Sequence, residues 1–434
     1  MNRKKLFFAG AIGNAVEMFE VWIYAFLQPC ITNTFFPPGT KDNNLIFICT
    51  LILPMLVRPL GGLFFGILGD LKGRKFVLEI SVLMSGISCG LIALLPSYQT
   101  IGMFSFYGLI FLRCLLGFSF AGEYNNSYLY LAEHAEPRSR GFIVSWASLG
   151  TCIGVLVATI ASYSMMHFID GDYLPAWSFR VLFVFSLLNL YIGYKARRSL
   201  AETGDYYISF PSYAPNKIKE IVVQASNEIK GSLKGLCKVF FICGFGAHIT
   251  YAIIFYAPFY LLEVNPNITS LKQSVSLIIY NATICCTLIP LVGKLGDIIG
   301  RKFLFLSGIV IATGLYLLFF FKLVKTSTYS ELLIFYFFVA IADALYSTGD
   351  TEAVEALPDK MRSTINAIFM GVPSIIFGAL SLPYFEILLS KIPLSPLISL
   401  IIAVPLFFII LSSKRKMFGP HYVYRYEAEK LKIK

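Results

Sequence analysis

Among the ionisable side chains that stand inside long apolar runs of this chain are Glu17, Glu20, Arg58, Arg113, Glu123, His248, Asp343 and Asp350. At the depth of a lipid bilayer each such group costs at least ~2.5–3.5 kcal/mol, so each needs a partner or a task. Carboxylates beside arginines suit reversible protonation. Burial favours the neutral acid and a nearby guanidinium favours the ion, so a shift of the arginine or the arrival of a ligand can tip the balance. Glu17 or Glu20 is the expected proton carrier, with Arg58 or Arg113 as its electrostatic partner and Glu123 in the same network. The alternative is a static salt bridge that ties helices together. Neither an HExxH pair, a nucleophile elbow nor a phosphate-binding loop occurs, so an enzyme is not expected. The nine cysteines form no CxxC or Cys/His cluster, so neither a metal site nor a disulfide framework is expected.

Helical spacing sorts these residues into faces. Gly13, Glu17, Glu20 and Tyr24 follow one another at i, i+4, i+7 and i+11, which is one helix stripe. Arg113, Gly117, Phe120, Tyr124 and Tyr128 make a second stripe, His248, Tyr251, Phe255 and Phe259 a third, and Asp343, Tyr346, Ser347 and Asp350 a fourth. Counting residues back from the basic loops places Glu17, Arg58, Glu123, His248 and Asp343 near the middle of a ~30 Å hydrocarbon core. The candidate cavity residues are Asn14, Tyr24, Tyr124, His248, Tyr251, Asp343 and Tyr346. His248 has an ordinary alternative as a hydrogen-bonded packing residue. The aromatic stripes either pack or form a pocket that attracts a quaternary ammonium by cation–π contact.

The elements that position these residues follow from composition. The chain has 434 residues, 57% hydrophobic and 14% charged, with a mean hydropathy of +0.71. Soluble domains carry roughly 25% charge, so lipid must be the solvent. The runs are solidly apolar instead of alternating, which excludes a β-barrel. Twelve runs of spanning length can be drawn, near 6–29, 44–69, 76–95, 103–132, 141–168, 178–195, 236–262, 274–294, 303–321, 331–356, 363–390 and 393–413. The expected fold is an all-α integral membrane protein of twelve helices in two parallel six-helix bundles, 1–195 and 236–413. A linker, 196–235, and a basic tail, 414–434, complete the chain. The net charge of +11 is a topology signal and not a nucleic-acid signal: 27 of the 36 Lys and Arg fall in, or at the very edge of, the termini and even-numbered loops, which places both termini in the cytoplasm. Within the linker, residues 216–236 are amphipathic and predict a helix lying on the inner leaflet, with a flexible segment as the alternative.

An internal repeat divides the chain. Gly66-Ile-Leu-Gly-Asp70-Leu-Lys-Gly73-Arg74-Lys75 returns as Gly293-Lys-Leu-Gly-Asp297-Ile-Ile-Gly300-Arg301-Lys302, an offset of 227 residues between the aspartates. Glu133-His-Ala-Glu-Pro-Arg-Ser-Arg140 is answered by Glu355-Ala-Leu-Pro-Asp-Lys-Met-Arg362, with Glu355 following Glu133 by 222 residues. Two motifs at nearly one offset indicate a duplicated unit. The glycines permit a tight turn and close helix approach, and the acids and bases can form a latch that holds one conformation. The candidate gating residues are Gly66, Asp70, Gly73, Arg74, Lys75, Glu133, Arg140, Asp297, Gly300, Arg301, Lys302, Glu355 and Arg362.

This loop motif resembles the signature of the major facilitator superfamily. The first half is similar to its metabolite:proton symporter family in Gly13-Asn14-Ala15-Val16-Glu17, Arg58-Pro59-Leu60-Gly61-Gly62 and Gly117-Phe-Ser-Phe-Ala-Gly122-Glu123-Tyr124. Leu95-Pro96-Ser97-Tyr98 is similar to the proline/betaine members. Where the family reads Glu-Trp-(Phe/Tyr)-Asp-Phe, this chain has Glu17-Met18-Phe19-Glu20-Val21 and keeps the acid one methylene longer. The resemblance implies a central cavity lined by spans 1, 4, 7 and 10, and proton-coupled import of a small polar metabolite by alternating access. The expected substrate is a zwitterion of the proline or betaine kind. The alternatives are an organic acid such as α-ketoglutarate, citrate or shikimate and, further off, an efflux antiporter or facilitator. The expected setting is a bacterial inner membrane. The only partners expected there are substrate, protons and lipid, with the monomer as working unit, no nucleic acid, and no cofactor beyond the proton gradient.

Overall fold

The computed structural model describes residues 3–38, 43–168, 178–198, 217–268, 270–358, 361–380 and 398–412, and the described residues are helical throughout apart from short connections. The long helices are α1 (Arg3–Phe26), α2 (Asn43–Lys72), α3 (Arg74–Leu94), α4 (Met103–His134), α5 (Arg140–Phe168) and α6 (Ser178–Arg198). The second half begins with α7 (Lys217–Ile249), which continues through a π-helical stretch, Thr250–Tyr256, into Ala257–Val264. It goes on with α8 (Leu271–Ile299), α9 (Arg301–Leu318), α10 (Tyr329–Tyr346, resuming at Thr348–Glu355), α11 (Arg362–Pro373) and α12 (Ile398–Ser412). Eight of these, α2–α5 and α7–α10, are long and apolar enough to cross a membrane. The tail 414–434, residues 199–216 of the linker, and residues 381–397 lie outside the described residues.

Helix starts and stops follow local chemistry. Gly73 and Gly300 occupy equivalent places in the repeat and both take positive φ, 98° and 104°. Each lets the chain reverse between two helices in a conformation that side chains with a Cβ rarely adopt. Thr328 and Glu331 form a reciprocal capping box at the start of α10, which satisfies two otherwise orphaned N–H groups. Large apolar side chains such as Phe104, Phe111, Ile298 and Phe303 point outward and are two-thirds or more exposed. Such a surface is costly in water and stable against lipid tails.

Close packing fixes the arrangement. Helix α1 lies on α5, where Gly150 and Gly154 bring the α5 backbone against Ala11 and Ala15. Helix α2 packs on α4, and α3 on both α4 and α6. Two contacts join the sequence halves along their length, α2 with α11 and α5 with α8. These two contacts are equivalent under the internal repeat. At Gly66 a Cβ would press into the Thr364 backbone, and at Gly293 into Ser145, so the motif glycines permit the approach.

Two sequence expectations change. Residues 217–236 are not a separate surface helix: they form the first part of the 33-residue α7, with no break at Gly231 or Gly235. At 1.5 Å per residue such a helix is ~50 Å long and outreaches a ~30 Å core. Second, α6 runs to Arg198, so Arg197, expected in the basic linker, is a helix residue and fully buried.

Candidate functional site

The first site is the end of the bundle that carries the repeated loops. Asp70, at the last turn of α2, accepts hydrogen bonds from the backbone N–H groups of Ser363 (3.1 Å) and Thr364 (2.9 Å) and from Thr364 Oγ1 (2.7 Å). A carboxylate at a helix N-terminus is favoured by unsatisfied N–H groups and by the helix dipole. Arg74 donates to Asp70 (3.1 Å), to the Gly69 carbonyl (2.7 Å) and to Glu133 (3.4 Å). The second copy does the same in mirror order. Asp297 of α8 accepts from the N–H groups of Gly141 (3.0 Å) and Phe142 (2.8 Å) at the start of α5. Glu355 accepts from Arg301 and from Arg140, each at 3.3 Å. Thus each half's loop aspartate caps a helix of the other half. Arg362 instead donates to the Val354 carbonyl (3.1 Å). Lys75 pairs with Glu79 at 3.9 Å. Lys302 is half-buried at the start of α9. Lys238 and Glu352 add a buried pair between α7 and α10 that sequence reading had not joined.

The second site lies within the first half. Glu17 and Glu20 are buried, at 1% and 0% exposure. Neither oxygen of Glu17 accepts a hydrogen bond from a described residue, although Arg197 and Arg58 are within electrostatic reach. Glu20 lies against the Cys89 thiol and within reach of Arg113. The Arg113 guanidinium sits 3.8 Å from the Tyr24 ring centre, a cation–π contact. The Tyr24 hydroxyl bonds to Thr50 at 2.8 Å. Glu123 is held by Arg197, both fully buried, and by Ser81 Oγ at 3.1 Å. Arg197 is the residue that sequence reading missed here. Its signal is helical phase: it extends the buried stripe Phe183, Ser186, Gly193 of α6, while Arg198 turns outward.

The third site is a cavity between the halves, with a volume of about 270 Å³. Of the predicted residues, Arg58, Tyr124, Tyr251, Asp343 and Tyr346 line it. Asn14, Tyr24 and His248 stand behind the wall. Asn14 donates to the Ala147 carbonyl (3.1 Å) and accepts from Ser127 (2.9 Å), and the His248 ring packs 5.2 Å from Tyr316. Spans 1, 4, 7 and 10 contribute as expected, but α2, α5, α8 and α11 also line the space, through residues such as Ser148 and Asn281. Ser148 donates to Asp350 at 2.7 Å, and Tyr128 lies 3.2 Å from Ser148. The Arg58 guanidinium carbon lies over the Phe120 ring, 3.7 Å from its centre, and Phe120 stacks on Tyr124 with ring centres 5.5 Å apart.

Comparison with known proteins agrees with this architecture. Residues 10–372 match the Major Facilitator Superfamily. A Staphylococcus haemolyticus protein named for proline/betaine transport is 30% identical over 310 residues, 70% of this chain and 64% of that protein. The proline/betaine transporter of Escherichia coli (strain K12) is 35% identical over 209 residues, 46% of this chain and 40% of its own. The chain thus spans less than two thirds of the length of these relatives. Among solved structures, the proton:xylose symporter XylE bound to 6-bromo-6-deoxy-D-glucose superposes with a TM-score of 0.77 at 16% identity, covering 95% of each chain. XylE in its inward open conformation gives 0.67 at 16% identity, covering 96% of this chain and 98% of that one. With a family match across most of its length and a helical fold to accord with it, the chain belongs to the Major Facilitator Superfamily.

Proposed function

We propose that the protein is a membrane transporter and not an enzyme, a proton-driven symporter that imports a small zwitterion of the proline or betaine kind by alternating access. In this reading α1–α12 are twelve spans in two six-helix bundles, the repeated loops face the cytoplasm of a bacterial cell, and the monomer is the working unit. The latched end is then closed, and the cavity is served from the outer side.

The observation that carries proton coupling is the pair Glu17 and Glu20, two buried carboxyls whose oxygens accept no hydrogen bond from a described N–H or hydroxyl and form no ion pair among the described residues. Two adjacent acids in one dry site cannot both ionise cheaply, so one proton is held and exchanged as Arg113, Arg58 or Arg197 moves. The substrate class rests on the relatives' names and on the cavity, where two carboxylates, Asp343 and Asp350, stand against one guanidinium, Arg58. That balance disfavours an organic dianion.

Proteoliposomes separate the proton step from substrate movement. Glu17→Gln and Glu20→Gln should each be compared in gradient-driven accumulation and in counterflow, which needs no net proton movement. The expected result is that at least one variant loses accumulation tenfold or more and keeps counterflow. Retention of accumulation by both would remove the proton-carrier assignment.

A further inference from the structure

The cavity holds charge that the protein itself leaves unanswered. Its charged lining residues, among those described, are Arg58, Asp343 and Asp350. Asp350 is engaged: Ser148 of the opposite half donates to it at 2.7 Å. Arg58 and Asp343 are not engaged in this way. No described residue forms an ion pair or a hydrogen bond with the Asp343 carboxylate, and Arg58 rests on the Phe120 ring with Glu17 in electrostatic reach but with no ion pair among the described residues. Opposite charges that line one cavity and do not pair with each other would each be costly there unless water or a ligand meets them.

Their levels match. At about 1.5 Å per residue, Arg58 lies about 21 Å from the Lys72 end of α2. Asp343 lies about 18 Å from the Glu355 end of α10 by the same measure. Arg58 belongs to the first half and Asp343 to the second. Asp350 sits two turns nearer the latch. Rings complete the walls: Phe120 and Tyr124 on the Arg58 side, and Tyr346, three residues after Asp343, with Tyr251 on the other. These rings are braced. Phe120 stacks on Tyr124, which meets Tyr128 at a tilt, and Tyr346 is wedged between Phe245 and Phe305 with its hydroxyl on the Ile242 carbonyl.

We propose that Arg58 and Asp343 are the two poles of the substrate site. Arg58 takes the carboxylate of the zwitterion, and Asp343, with the faces of Tyr346 and Tyr251, takes its ammonium. This assignment rests on the zwitterion reading above and adds residues and an orientation to it. A ligand with both charges bridges the two halves, whereas one with a single charge satisfies only one wall. Binding is therefore tied to the halves coming together, which is what a carrier needs in order to move only when loaded. A planar guanidinium suits the carboxylate, and an electron-rich ring face suits a methylated ammonium that cannot donate hydrogen bonds.

Ligand pairs that differ by one charge test this on purified full-length protein. Glycine betaine is compared with tert-butylacetate, which has the same shape without the positive charge, and with choline, which lacks the carboxylate. Proline is compared with cyclopentanecarboxylate and pyrrolidine in the same way. Competition against radiolabelled zwitterion should show wild type preferring it to either analogue at least tenfold. Asp343→Asn should cut the preference over the anionic analogue to threefold or less and keep the preference over the cationic one. Arg58→Gln should do the reverse. If the neutral Asp343 variant does not fold, Asp343→Glu, which keeps the charge, should change the zwitterion-to-anion ratio at least threefold. Wild type that binds neither zwitterion overturns the substrate class itself. Wild type with the tenfold preference, and Asp343 and Arg58 variants with unchanged ratios, overturns the two-pole site alone.

Discussion

The two copies of the loop motif make the same contact with unequal strength. Asp70 receives two backbone N–H groups and a hydroxyl from α11, and Arg74 lies 3.1 Å away. Asp297 receives two backbone N–H groups from α5, and Arg301 Nε is 3.8 Å away. The difference traces to single residues. The second helical N–H belongs to Thr364 in one copy and to Phe142 in the other, and phenylalanine offers no hydroxyl. The weaker copy has a compensation: Glu355 holds both Arg301 of its own half and Arg140 of the other. The contact between the halves is thus divided between a three-bond aspartate cap on one side and a two-bond cap with an interhalf ion pair on the other.

This comparison can be broken by mutation. The largest effect is expected from Asp70→Asn, which strips charge from three hydrogen bonds and from the Arg74 pair. Removing the charge weakens each bond by about 1 kcal/mol, so over three bonds the ratio of latched to open forms should fall by roughly 100-fold. Asp297→Asn should cost less, roughly 30-fold, by the same reasoning on two bonds. Hydrogen exchange at the first amides of α11 and α5 reads each cap separately; equal acceleration in both variants would deny the asymmetry. Thr364→Val removes one hydroxyl donor, about 1 kcal/mol, and should shift the ratio about fivefold. Its effect should shrink in the Asp70→Asn background if both act through one cap, since asparagine offers that hydroxyl only a neutral acceptor.

Much of this was legible in the chain, for particular reasons. Gly73 and Gly300 announced tight turns because only a residue without a Cβ settles at φ near 100°, and their repetition gave the duplicated plan. The buried acids and arginines stood out because charge is rare inside apolar runs. The partners were not legible. Asp70 meets Thr364 across 294 residues, and no local pattern points that far. Arg197 was hidden among basic neighbours, since the charge count of a loop cannot show that the helix continues through it. Cavity walls from α5 and α8 were missed because Ser148 and Asn281 carry no charge to draw notice. His248 drew notice by its type, and it packs against Tyr316. The continuous α7 was missed because amphipathic periodicity reports a face and not where a helix ends.

The central claim is proton-driven accumulation of a zwitterion, and one measurement addresses it directly. Purified protein in liposomes, given an acid-outside pH gradient, is offered labelled proline, glycine betaine, α-ketoglutarate, citrate and shikimate. The account predicts uptake of proline or glycine betaine above equilibrium, abolished by a protonophore, with the three organic acids not accumulated. Concentrative uptake of an organic acid in place of either zwitterion, or no concentrative uptake of any of the five, would contradict it.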